Sequence, residues 1–194
     1  GNAATTAAGT DRSVTYDSVA PTLTLAQAAG QADPATRGAA IRWTLTTNEA
    51  LLADPTAGSF TVSGTAANIG ALVPVVTKLD ATTYTVTITP LTSGSVTGDG
   101  TIALSMAAGR VRDLLGNASS ASSSTDATVT YDGTLPVLSL TQAAGQADPT
   151  SGSTIRFTLS SSEALDASSV TGADFTLTNG TVTAIDCTAT TCTI

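Results

Sequence analysis

Apolar residues occupy alternate positions along much of this chain, with threonine between them. Ile41, Trp43 and Leu45 alternate with Arg42, Thr44 and Thr46, and Tyr84, Val86 and Ile88 alternate with Thr83, Thr85 and Thr87. A period of two is the mark of a half-buried strand. The same pattern predicts strands at Leu23–Leu25, Phe60–Val62, Leu72–Leu79, Ile102–Leu104 and Ala127–Tyr131, with Gly, Asn, Asp and Pro clusters as turns between them. Seven short strands between Ser18 and Asp132 predict an all-β fold, a sandwich of two sheets. Its expected core is Leu23, Leu25, Ile41, Trp43, Leu45, Phe60, Val62, Tyr84, Val86, Ile88, Ile102, Leu104 and Val129. A helix finds no room, except for one turn within Ala107–Leu115.

The pattern repeats. Gln27-Ala28-Ala29-Gly30-Gln31-Ala32-Asp33-Pro34 returns letter for letter as Gln142 to Pro149, 115 positions on. Val14-Thr15-Tyr16-Asp17 returns as Val129 to Asp132, and Ile41-Arg42-Trp43-Thr44-Leu45 is answered by Ile155-Arg156-Phe157-Thr158-Leu159. A repeat of domain length means tandem architecture. The register divides the chain into residues 1–17, expected to be the last strand of a preceding copy with Val14 and Tyr16 on one face; 18–132, a complete copy; and 133–194, the first part of a second. Cys192-Thr193-Ile194 aligns with Tyr84-Thr85-Val86. The second copy is therefore expected to show open strand edges and an uncovered face. More polypeptide beyond Ile194 is the favoured completion, and a contact with another copy in a filament is the alternative.

Composition narrows the function. Hydrophobic residues make up 41% of the 194, aromatic residues 4% and charged residues 11%, with no histidine and a net charge of −8. The sequence pI near 4.1 excludes a basic nucleic-acid footprint. The missing histidine weakens any general acid–base reading. No apolar run reaches the roughly 18 residues of a membrane span. The loops at Gly30 and Gly145 lead into no helix and carry no Lys-Ser or Lys-Thr pair, so they are turns and not phosphate loops. Outward threonines are what a soluble strand face requires.

Several motifs recur in order: the Tyr-Asp-x-x-x-Pro joints ending at Pro21 and Pro136, Ser162-Glu163-Ala164-Leu165, Gly172-Ala173-Asp174-Phe175-Thr176, and Asp113-Leu114-Leu115-Gly116-Asn117. Together they resemble bacterial Ig-like domains, the tandem modules of giant surface adhesins and biofilm-associated proteins. The resemblance covers essentially the whole chain. It implies tandem seven-strand Ig-like sandwiches at the bacterial cell surface, serving as an extracellular spacer in a stalk or filament. Neighbouring repeats, and other copies in a filament, would be the partners. The first copy departs at two positions: Asn48 stands for Ser162, and Ser59 for Asp174. A carbohydrate- or protein-binding module is the alternative function, although Trp43 lies on an inward face. An enzyme is disfavoured for want of a paired acid–base constellation.

In an Ig-like topology successive loops alternate between the ends of the sandwich. One end should gather Asp17, the loop with Glu49 and Asp54, the Asp80 turn and Asp113, with Asn117 as a neutral ligand. The opposite end should hold Asp33, Asp99 and Asp132, with Glu163 and Asp166 of the second copy folding back toward Asp132. Two readings stand side by side: acidic residues that solvate loops, and calcium, which takes several oxygen ligands. Cys187 and Cys192 flank a four-residue turn, as Leu79 and Tyr84 do in the first copy, where an apolar cross-strand pair is expected. A disulfide across that hairpin implies an oxidising, extracellular location. Two free thiols remain the alternative.

Overall fold

The structure, a computed structural model, describes residues 13–89 and 96–194. The chain divides into two compact units, residues 1–134 and 135–194.

Among its described residues, unit 1 builds two sheets from nine strands. They are β1 (Leu23–Gln27), β2 (Ala35–Thr36), β3 (Ile41–Thr47), β4 (Phe60–Gly64), β5 (Val75–Lys78), β6 (Thr83–Ile88), β7 (Gly100–Met106), β8 (Ser123–Asp126) and β9 (Thr128–Asp132). One sheet has the order β5-β6-β3-β1-β8 and the other β2-β9-β7-β4. Both contribute to a single core, in which Trp43, Tyr84, Leu25 and Ile41 from the first meet Ile102, Met106, Val129 and Tyr131 from the second. Period two explains the burial. In β3 the residues Ile41, Trp43, Leu45 and Thr47 are buried, while Arg42 and Thr46 face solvent. The fold is all-β, and the described residues contain no α-helix, only 3-10 turns such as Ala57–Ser59 and Ile69–Ala71.

Seven of the nine strands coincide with those the pattern predicts, the uncertain one from Leu72 to Leu79 shrinking to β5. Of the expected core, only Val62 falls outside the buried residues, packing half-buried against them. The additions, β2 and β8, are too short and polar to show a period. Each pairs in parallel: β1 with β8, and β2 with β9. The last strand thus leaves one sheet at Asp126 and joins the other at Thr128. At the crossing, the Ala127 carbonyl accepts from Trp43 Nε1 at 2.9 Å and from the Leu104 N–H at 3.2 Å.

Two expectations need correction. No strand forms over Ser13–Asp17, and Val14 and Tyr16 are 93% and 85% exposed; residues 1–12 lie outside the described residues. The same four letters become β9 in unit 1 because β7 and β2 flank it there. Among the described residues no such ladder forms around Val14. The second correction concerns Leu79, which is exposed and does not face Tyr84. Lys78 is the cross-strand partner, with Nζ 5.6 Å from the ring centroid. The first-copy turn holds one residue more than its counterpart, and this moves the pair by one.

Unit 2 is one sheet, β10-β11-β13-β12, from β10 (Leu138–Gln142), β11 (Phe157–Ser161), β12 (Asp186–Cys187) and β13 (Thr191–Thr193). Its pairing repeats that of unit 1. Leu140 faces Leu159 as Leu25 faces Leu45, and Cys192 faces Leu159 as Tyr84 faces Leu45. Cys187 and Cys192 are directly opposed and joined by a disulfide, their Cα atoms 4.0 Å apart. Adjacent antiparallel residues in the closely spaced class make such a bridge short-range and local.

Candidate functional site

Three of the expected acidic residues meet. Carboxylate oxygens of Asp17, Glu49 and Asp113 all lie within 4.8 Å of one another, with Asp113 buried and the other two half-buried. Each is set in place by its own loop. Asp17 turns the entering segment by accepting the Val19 N–H on Oδ1 at 2.9 Å. Glu49 follows the end of β3, where Thr47 Oγ donates to the Glu49 carbonyl at 2.6 Å. Asp113 is the pivot of a tight loop that turns at Gly116, whose φ of +94° favours glycine.

Asp113 is also the most constrained of the three. Its Oδ1 accepts the N–H groups of Leu115 (2.9 Å) and Asn117 (2.8 Å), and its Oδ2 accepts Asn117 Nδ2 at 2.7 Å. Burial pushes its carboxyl up, but these donors favour the charged form, and the net displacement is downward. Asn117 also donates from Nδ2 to the Asp17 carbonyl at 3.3 Å, so its amide nitrogen ties the entering segment to the Asp113 loop. All three acidic side chains offer oxygen only, the donor set of a hard cation. The hydrogen bonds to Asp113 take both lone-pair sites of Oδ1 and leave one on Oδ2.

The remaining acidic residues are placed otherwise. Asp54 bonds to Lys78 Nζ at 2.7 Å and the Tyr84 hydroxyl at 3.1 Å. Asp80 closes its own turn on the Thr82 N–H. Asp132 ends β9 half-buried in unit 1. Glu163 and Asp166 belong to unit 2, where Asp166 Oδ1 accepts from Ser168 N and Oγ at 3.0 and 2.7 Å and caps the Ala167–Ser169 turn. By the repeat register Asp132 and Glu163 match Asp17 and Glu49, and the position matching Asp113 falls past Ile194.

The role of the repeated octapeptide escaped the sequence reading. In unit 1 it grips the last strand. Asp33 Oδ1 accepts the Thr130 N–H at 2.9 Å, and Gln27 Nε2 lies 2.9 Å from each of Asp33 Oδ2, Asp126 Oδ1 and the Thr128 carbonyl. The Gln27 amide, and then the Thr130 N–H, hold the Asp33 carboxyl below its usual range. Gln31 Oε1 accepts the Arg42 N–H in unit 1, and Gln146 Oε1 accepts the Arg156 N–H in unit 2. The two departures between copies also resolve into one chemistry. Asn48 Oδ1 accepts the Thr22 N–H, and Ser162 Oγ accepts the Val137 N–H. Ser59 Oγ accepts from Thr56 N, and Asp174 Oδ2 from Thr171 N. Letter-for-letter identity over eight residues was the available signal for the grip, but it named no partner.

No family model, curated protein or solved structure matches this chain.

Proposed function

We propose that this chain is a non-catalytic structural spacer from a secreted bacterial surface adhesin, stalk or extracellular filament of the kind found in biofilms. In this reading it is built of tandem Ig-like domains stiffened by calcium. The observation that carries the proposal is the meeting of Asp17, in the segment that leads into β1, with Glu49 and Asp113, in loops of the same unit. Three carboxylates at this spacing repel one another at neutral pH, and a divalent cation turns the repulsion into a tie. Calcium suits the oxygen donors, and backbone carbonyls and water would complete its shell. A tie between entering segment and loops sets the direction in which one domain hands the chain to the next. A projecting stalk needs that property. The disulfide in unit 2 accords with an oxidising location.

The test has two arms. Millimolar calcium should raise the melting temperature of unit 1, a chelator should reverse it, and Glu49→Gln should weaken the response by at least tenfold in calcium affinity. No calorimetric or thermal response to calcium would leave these residues as solvated loop acids. Antibody to the chain should label intact source cells, and labelling only after permeabilisation would refute the surface location.

A further inference from the structure

Among its described residues, unit 1 has four sheet edges, and three of them are guarded. β2 is two residues long and is followed by Arg37, which donates to the Gly133 carbonyl at 2.9 Å. β5 follows Pro74 and ends in Lys78, which pairs with Asp54. β8 meets β1 with a break in register and ends in Asp126, which accepts from the Gln27 amide. Short length, proline, charge and irregularity are the devices that keep an edge from pairing with another chain. β4 has none of them. Its five residues, Phe60-Thr61-Val62-Ser63-Gly64, include no charge and no proline, and they pair with β7 in unbroken register from Met106 to Ile102.

The outer side of β4 also holds unused main-chain groups. Met106 donates its N–H to Ser122 Oγ and accepts the Ser122 N–H, and the Leu104 N–H goes to the Ala127 carbonyl. Both residues thus turn their main chain away from β4. Val62, opposite Leu104, is therefore in a pair that exchanges no bonds. Its N–H and carbonyl point out of the sheet edge, and among the described residues nothing bonds to either. An open groove of ≈ 340 Å³ lies beside this edge, lined by Phe60, Val62, Ile69, Leu72, Val73 and Pro74. Val73 there is 56% exposed.

Charge selects the occupant. The chain carries −8, yet residues 55–77 hold no charged side chain, the longest such run in the sequence. Two copies repel over an acidic surface, but here they meet without opposing charges. We propose that two copies of this chain pair through β4, antiparallel and about a two-fold axis, so that the sheet β2-β9-β7-β4 of one continues into that of the other. Val62 of each copy exchanges both main-chain bonds with Val62 of the other, and Thr61 of each lies opposite Ser63 of the other. Main-chain bonds along the added strand supply the affinity. An isologous contact of this kind closes at the pair. With one strand and one groove from each copy the interface is small, and the association is weak. Pairing through β4 uses neither the acidic site nor a cell-surface location, so it and the spacer function can fail independently.

The test is sedimentation equilibrium of the intact chain as its concentration is raised into the millimolar range. The weight-average mass should climb from the 19.1 kDa of one chain toward twice that and no further. Thr61 and Ser63 are both exposed and report the register. Thr61→Lys with Ser63→Lys sets lysine opposite lysine at both places and should weaken dimerisation roughly tenfold, because like charges directly opposed destabilise a cross-strand pair. Thr61→Lys with Ser63→Glu sets lysine opposite glutamate at the same places and should associate at least as tightly as the wild type. A wild-type chain that stays monomeric would leave the edge to an extended segment of another protein and overturn the proposal. So would a double-lysine variant that associates as the wild type does, or a mixed-charge variant as weak as the double-lysine one. Native Trp43 emission in each variant certifies that unit 1 is folded.

Discussion

Trp43 offers the sharpest test of the core. Its side chain is wholly buried, between β1 and β6 in one sheet, and its indole N–H donates to the Ala127 carbonyl where the last strand changes sheets. Trp43→Ala removes the ring and leaves a cavity, which in a packed interior costs about 3–5 kcal/mol. Trp43→Phe keeps most of the volume and removes the donor. The Ala127 carbonyl retains the Leu104 N–H, so the loss is that of one shared hydrogen bond, about 0.5–1.5 kcal/mol, and not that of an orphaned acceptor. With the missing ring volume, Trp43→Phe should cost about 1–2 kcal/mol in all. Urea unfolding followed by far-ultraviolet circular dichroism reads both variants without depending on the only tryptophan. For a domain of this size about 1 kcal/mol corresponds to roughly 4 °C in Tm, so Trp43→Ala should melt about 12–20 °C lower. If Trp43→Phe proves as costly as Trp43→Ala, packing is not the main term. If acrylamide quenches native Trp43 freely, the register of β3 is wrong.

Three further outcomes follow from bonds described above. Asn48→Ser should be nearly neutral, within about 0.5 kcal/mol, because Ser162 makes the same bond in unit 2, whereas Asn48→Ala should cost about 1 kcal/mol; equilibrium unfolding distinguishes them. Alkylation of the native chain should modify neither cysteine and, after reduction, both. Opening so short a loop should destabilise unit 2 by about 2 kcal/mol in the chain-entropy description, with unit 1 unchanged. The third concerns pH. Thr134, by side chain and then by backbone, with the Gly133 N–H, holds the Asp99 carboxyl below its ordinary range, and Asp33 is lowered likewise. A carboxyl with a depressed folded pKa adds stability that is present above its unfolded value, near 3.9, and is lost as pH falls through the folded value. Melting temperature should therefore hold from pH 7 to about pH 5, then drop in acid, and Asp99→Asn should flatten the acid limb.

The strands were legible because burial writes itself into a period of two, and seven of them carry that period. β2 and β8 do not, since two residues make no period and Ser123-Ser124-Thr125-Asp126 has no apolar face. The meeting of Asp17, Glu49 and Asp113 could be read from loop alternation once a sandwich topology was assumed. The Asp33–Thr130 bond could not, because its donor is a backbone N–H and leaves no mark in the letters. Leu79 misled for a related reason: one added turn residue moves a cross-strand pair without disturbing the alternation on either side.

The crossing at Ala127 has a mechanical consequence. The chain enters unit 1 through β1 and leaves it through β9, and each of these runs parallel to a strand from the opposite end of the domain, β8 or β2. Tension on the two ends therefore draws parallel neighbours past each other along their length. Their hydrogen bonds carry load together, in shear, and do not open one after another as in a peeled hairpin. Force spectroscopy should see one abrupt rupture of unit 1 without gradual lengthening, and Asp33→Ala, which loosens β9 beside β2, should lower that rupture force more than it lowers the melting temperature.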